Sequence, residues 1–304
     1  MQIVLKELDD LILNYLEMCE RLYVTSKWNE INKDQVCNFA AQSGFLDLLQ
    51  WAQLQNFELN ASTLACAALN GHLEIMKWLH SNNCKWDELA CANASENGHM
   101  KVLQWLHEQG CPWDADACAA AAQNGHLDVL QWLRSKNCPW DNETSKIAAI
   151  NGHLEILHWM RVQQFDFDEE PWELAAQEGR LKVLKWAYAE NISWNEKDTM
   201  TAAAAGGYLC VVQWLHYDRQ LSWNAFTFCC AVRSGNMKLL RWMHEKNCPW
   251  DPLACWAAAI AGRLDILKWL KSEGCPWDRR TIFGGRQKNH FEVVAWALAQ
   301  GCPS

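Results

Sequence analysis

The sequence predicts an all-α solenoid of stacked helix-turn-helix repeats, and three periodic features predict it. Glycine recurs at Gly44, Gly71, Gly98, Gly125, Gly152, Gly179, Gly207, Gly235 and Gly262, with Asn289 in the tenth place. The spacing is 27 residues, and 28 twice. Seven residues after each stands a tryptophan, from Trp51 to Trp296. A Cys-x-Trp-Asp turn closes many of the units, as at Cys84, Cys111, Cys138, Cys248 and Cys275, and Cys302 holds the same place in the tenth. A period of this size means a repeat architecture in which each unit buries its apolar face against its neighbours.

Within a repeat, the first helix is predicted to start after an Asp or Asn that caps its N-terminus: Asn60, Asp87, Asp114, Asp141, Asp168, Asn195, Asn224, Asp251 and Asp278. Pro252 follows Asp251 at the first helical position, where a missing N–H costs nothing. Small pairs such as Ala67-Ala68, Ala121-Ala122 and Ala258-Ala259 let first helices approach closely. The glycine, often preceded by Asn, then ends the helix at positive φ. The second helix follows with helical, not strand, periodicity, as in Leu127, Leu130 and Leu133 with Val129 and Trp132. It stops at Asn83, Gly110, Asn137, Asn191, Asn247, Gly274 or Gly301, an exchange that a left-handed cap explains. The proline after Cys111, Cys138, Cys248 and Cys275 enforces the stop.

Ala121-Ala122-Gln123-Asn124-Gly125-His126-Leu127-Asp128-Val129-Leu130 and the tail Gly110-Cys111-Pro112-Trp113-Asp114 resemble the ankyrin repeat, A-A-x-x-G-H-x-E-V-V followed by G-A-x-x-N/D. The resemblance covers residues 32–304 as about ten repeats. The period is shorter than the family's, which is about 33. The missing residues fall at the projecting hairpin, so the resemblance implies hairpins shortened to tight turns. The short Trp-rich variety is similar to arrays of large DNA viruses and protists; if the chain is viral, it would act in host cytoplasm. The family implies protein binding on the concave first-helix face, without catalysis.

Composition narrows the function classes. The 304 residues carry a net charge of −9, against the basic surface that general nucleic-acid binding needs. The same sign disfavours an anionic membrane surface. No apolar run spans a bilayer, and the N-terminus lacks a signal peptide's basic start. Fifteen cysteines in such a chain read as reduced thiols of a cytoplasmic or nuclear protein. The six turn cysteines, a repeat apart, are too distant to bridge along the stack.

Other chemistry gives way to the repeat. The pairs His80 and Cys84, His107 and Cys111, and His244 and Cys248 offer two metal ligands each where zinc needs three or four. His72, His99, His126 and His153 follow the glycine, where a hydrogen bond near the helix start is expected of them. No catalytic constellation stands apart from the repeat, so neither enzyme activity nor a cofactor is expected. The second-helix tryptophans are expected in the inter-repeat core and the turn tryptophans half-buried. A Trp-lined surface for glycans or peptides is the distant alternative.

Four positions of the first helix, nine, six, five and two residues before the glycine, share the face away from the core. The last of them varies in size and polarity and supplies the candidate partner-binding residues: Gln42, Leu69, Glu96, Gln123, Ile150, Gln177, Arg233 and Ile260. Leu69, Ile150 and Ile260 are expected as exposed anchors. The tenth repeat loses the Ala-Ala pair and gains charge, which suits a capping repeat, and no effector domain is expected after it. Residues 1–31 do not follow the period. They read as an N-terminal helical cap or as a degenerate F-box. The stretch from Ile12 to Ile31 resembles the second part of an F-box, with Leu13, Leu16 and the pair Lys27-Trp28 in place, but it is short and lacks the opening Leu-Pro. That resemblance implies docking of a ubiquitin-ligase adaptor through Leu13, Leu16 and Trp28, and a substrate-receptor role.

Overall fold

The computed structural model describes residues 33–304. Residues 1–31, with Leu13, Leu16 and Trp28, lie outside the described residues. The described chain is helical throughout, with twenty helices and, among the described residues, no strand. The helices alternate as first and second members of pairs. First helices are α1 (Lys33–Ser43), α3 (Ala61–Leu69), α5 (Glu88–Glu96), α7 (Ala115–Gln123), α9 (Asn142–Asn151), α11 (Glu170–Gln177), α13 (Glu196–Gly206), α15 (Ala225–Ser234), α17 (Pro252–Ile260) and α19 (Arg279–Gln287). Second helices are α2 (Leu46–Leu54), α4 (Leu73–Ser81), α6 (Met100–Glu108), α8 (Leu127–Ser135), α10 (Leu154–Val162), α12 (Leu181–Ala189), α14 (Leu209–Tyr217), α16 (Met237–Glu245), α18 (Leu264–Ser272) and α20 (Phe291–Ala299). The chain divides into two compact units. One runs to Ala94 and includes His99–Pro112; the other comprises Ser95–Gly98 and Trp113–Ser304.

Local chemistry sets the boundaries. Asn60, Asp87, Asp114, Asp141, Asn195, Asn224, Asp251 and Asp278 accept backbone N–H bonds at the starts of their helices, as at Leu253 N to Asp251 Oδ1, 2.9 Å. Asn224 and Thr227 complete a reciprocal capping box. Asp168 is the exception. The capping residue of α11 is Glu169, with helical φ and no side-chain bond, and Pro171 sits one turn position further in. The Asp168 carbonyl instead accepts the Trp172 indole N–H at 2.9 Å. Every glycine of the series has positive φ, and Asn289 replaces one at +60°. Asn83, Asn137, Asn191 and Asn247 hold the same left-handed geometry at the second-helix ends.

Packing within each unit is uneven in a way that explains the tryptophans. Successive first helices lie side by side, α1 with α3 in the first unit and α7 through α19 in the second. Their Ala pairs are fully buried, which permits the approach. Second helices come less close to one another. Their inward line is aliphatic: Ile75, Met76 and Leu79 in α4, Val129, Leu130 and Leu133 in α8. The second-helix tryptophans, expected in the core, are half-buried instead, with only Trp214 truly enclosed at 7% exposure. The aliphatic line occupies the inside, and the indoles fill the wider flank between second helices.

Candidate partner-binding face

The residue after each glycine ties a repeat to the one before it. Nε2 of His72, His99, His153 and His290 meets the carbonyl oxygens of Gln42, Leu69, Gln123 and Ile260 at 3.0–3.1 Å. Arg180 Nε donates to Ile150 O at 2.6 Å, and Asn124 Nδ2 to Glu96 O at 2.7 Å. The acceptors are the free carbonyls of the first-helix ends. The expected hydrogen bond therefore exists for His72, His99 and His153 and reaches across to the preceding repeat, while at the His126 repeat Asn124 makes the tie. The same closeness dictates glycine, since a Cβ on Gly125 would fall 2.6 Å from His153 Nδ1.

These bonds use the carbonyls of six of the eight candidate binding positions, all but Gln177 and Arg233. Gln42, Gln123, Gln177 and Arg233 are exposed. Leu69, Glu96, Ile150 and Ile260 are half-buried, so the three aliphatic residues are less open than expected. Neighbouring members also touch, as Gln123 Nε2 donates to Glu96 Oε1 at 3.3 Å. The face carries further residues that this one column misses. Phe226 and Phe283 are 59% and 66% exposed, at nine and six residues before the reference position. Trp256 is half-buried at the latter position, which is Ala65, Ala92 and Ala119 in earlier repeats. That Ala-to-aromatic exchange was visible in the sequence.

Charge divides this face of the second unit. On α11, burial and the nearby Asp198, Glu169 and Glu170 raise the Glu173 carboxyl above its ordinary range. Lys146 bridges Glu143 at 3.3 Å and Glu170 at 3.2 Å. Helices α15, α17 and α19 hold four arginines and no acidic residue.

The second-helix side forms a ring ladder. The His80 ring stacks on turn Trp86 at 4.2 Å, and Trp105 of the next repeat meets Trp86 edge-on at 6.0 Å. His216, Trp223 and Trp242 repeat the pattern, as do His244, Trp250 and Trp269. Arg134 over Trp140 and Lys271 over Trp277 take the histidine's place. The turn tryptophans are half-buried, as expected. A shallow apolar groove of about 490 Å³ runs along α10 between α8 and α12, lined by Leu127, Leu154, Trp159, Val162 and Trp186.

The His-Cys pairs serve this packing. His80 stacks while the Cys84 thiol donates to Asn60 O at 3.2 Å, and the His244 and Cys248 pair divides in the same way. The fourteen described cysteines are free and, except Cys66 and Cys210, buried. Burial pushes the Cys248 thiol up to about 12 and the Cys84 thiol to about 11. A hydrogen bond to Cys138, then burial, raises Cys118, and Cys255 acts in the same way on Cys275. Among the described residues no cluster of three or more metal-ligating side chains forms, and no helix is long and apolar enough to cross a membrane.

No family model matches the chain, and no curated protein does. Among solved structures it is similar to the ankyrin repeat domain of human ASB11, at 18% identity and a TM-score of 0.41, over 52% of this chain and 84% of that one.

Proposed function

We propose that the chain is a protein-binding module whose partner lies along the first-helix face, on Gln42, Leu69, Glu96, Gln123, Ile150, Gln177, Arg233 and Ile260. One observation carries this reading. The constant residues and most of the first-helix carbonyls are used in holding repeats together, whereas the varying side chains of this face, the Gln123–Glu96 bond aside, stay exposed or half-buried. A rigid scaffold that presents variable side chains is what recognition by a repeat protein needs. The resemblance of residues 32–304 to ankyrin repeats supports the same reading, with the tenth repeat as a cap. The buried free thiols suit a reducing compartment, cytoplasm or nucleus. Residues 1–31 serve as a cap or, through Leu13, Leu16 and Trp28, as a docking segment for a ubiquitin-ligase adaptor.

Affinity capture from cells tests this with three chains: full length, one lacking residues 1–31, and one carrying Gln123→Arg, Ile150→Asp and Gln177→Arg. The partner should be kept by the truncated chain and lost by the triple variant at an unchanged melting temperature. A partner kept by the triple variant would move binding off this face. Ligase components recovered by the full chain and lost on truncation identify a substrate receptor.

A further inference from the structure

The first-helix surface of the last three repeats differs in kind from the rest of that face. Where three earlier repeats place alanine and the others Asn38, Lys146, Glu173, Thr201 or Cys229, α17 and α19 place Trp256 and Phe283, and α15 adds Phe226. The two phenylalanines are more exposed than not. Trp256 is seated on purpose-built ground. A Cβ on Gly284 would lie 2.9 Å from Trp256 Cδ1 and 2.9 Å from Ile260 Cγ1, so only glycine lets the indole lie against α19. Glycine inside a helix is destabilising relative to alanine. Its presence under the half-buried Trp256 ring indicates a surface shaped for contact.

The charge around these rings opposes that of the molecule. Arg233, Arg279, Arg280 and Arg286 are exposed on α15 and α19, while the whole chain carries −9. The acidic groups at the helix starts are engaged: Asp251 caps Leu253 N, and Asp278 caps Arg280 N and pairs with its guanidinium at 2.7 Å. Arg233 is exposed on α15, and neither that helix nor α17 contains a carboxylate. An apolar centre with a basic rim matches a ligand with apolar anchors and acidic flanks.

We infer that Phe226, Trp256 and Phe283, with the exposed Arg233, Arg279 and Arg286 on the same helices, dock a short peptide segment of a partner protein in which aromatic or aliphatic anchors alternate with Asp and Glu. This rests on the protein-binding reading and names the class of partner for one end of its face. The rings bury the anchors, and the arginines select acidic neighbours and reject basic ones.

Random peptides displayed on phage and selected on the full chain test it. The selected peptides should share apolar anchors flanked by acidic residues. Their affinity should fall about tenfold on Phe283→Ser and on Phe226→Ser, typical of exposed anchor loss. Arg233→Glu should weaken them as well. Gly284→Ala should reduce binding without touching charge, because it displaces Trp256. Both phenylalanines are exposed, so their variants should melt as the parent does. A basic consensus, no enrichment, or binders indifferent to these four changes would overturn the inference. Binders lost instead on Gln123→Arg and Gln177→Arg would retire this patch and keep the protein-binding face. Binders indifferent to both sets would retire both. Self-association, or binding of a single-stranded oligonucleotide, abolished by Phe283→Ser would assign the patch to a second copy or to nucleic acid and overturn it too.

Discussion

Gly262 and Gly274 hold similar backbone, φ +67° and +86°, in quite different surroundings. A Cβ on Gly274 meets nothing within 4 Å, whereas one on Gly262 would fall 2.7 Å from the His290 ring. Gly274→Ala should therefore cost about 1 kcal/mol, the strain of a left-handed alanine. Gly262→Ala should cost about 1–3 kcal/mol more, because the His290 ring must leave the Ile260 carbonyl. Urea denaturation of the two variants compares them, and equal losses would show that the histidine contact constrains nothing. A thiol offers a second residue-scale test. The folded Cys248 thiol is pushed up to about 12 by burial from its ordinary 9.0. Between those values the unfolded chain loses the proton and the native one keeps it, so stability is whole below about pH 9 and declines above it. The melting temperature should fall from pH 9 to pH 11, and less steeply in Cys248→Ala, which separates this thiol from the lysines and tyrosines titrating nearby. Parallel slopes would contradict the assignment.

At the scale of a helix, capping separates two aspartates that look equivalent in sequence. Asp251 accepts Leu253 N at 2.9 Å, so Asp251→Ala should cost about 1 kcal/mol. Asp168 caps nothing, because α11 begins one residue later after a Glu169 of helical conformation. Asp168→Ala should cost no more than about 0.5 kcal/mol, the value of an ordinary surface change. Thermal melts of the pair decide it, and equal effects would mean that Asp168 supports the α11 start by another route. The pair also marks how far the sequence could be read. Periodic Gly, Asn, Asp and Ala positions specify helix ends and close packing by local sterics, and those positions were legible. The exposure of Trp78 or Trp132 was not, because periodicity names a helix flank without saying how far apart neighbouring helices stand. The same limit applies to the binding face. Arg233 and Ile260 follow from comparing one column across repeats, while Phe226 and Trp256 stand out once all four columns are compared, and only the structure shows how far each is exposed.

At the scale of the whole chain, repetition makes a specific kind of change tolerable. Asp251 and Asp278 begin their helices with the same 2.9 Å bond to the second residue on. Cys275 and Cys302 donate to the carbonyls of Asp251 and Asp278, at 3.7 and 3.5 Å. Removing residues 252–278 joins Asp251 to Arg279 and brings each group to an equivalent partner. Cys302 reaches Asp251 O, and His290 takes the place of Arg263 against Gly235, whose open side now holds the Arg263 guanidinium. Stability in such arrays is close to a sum of repeat and nearest-neighbour terms, so a whole repeat can leave without breaking a pattern. Removing only residues 252–263 deletes α17 and leaves Ile266, Leu267 and Leu270 of α18 without the helix that covers them. The first deletion should yield a monomer with helicity per residue unchanged and a lower melting temperature. The second should aggregate or lose helix beyond the deleted stretch. Circular dichroism and size-exclusion chromatography distinguish them. If both deletions fold equally well, single helices rather than pairs are the independent unit. If both fail, the contacts that secure the array extend past nearest neighbours, and the ties from Cys302 and His290 are insufficient to close it.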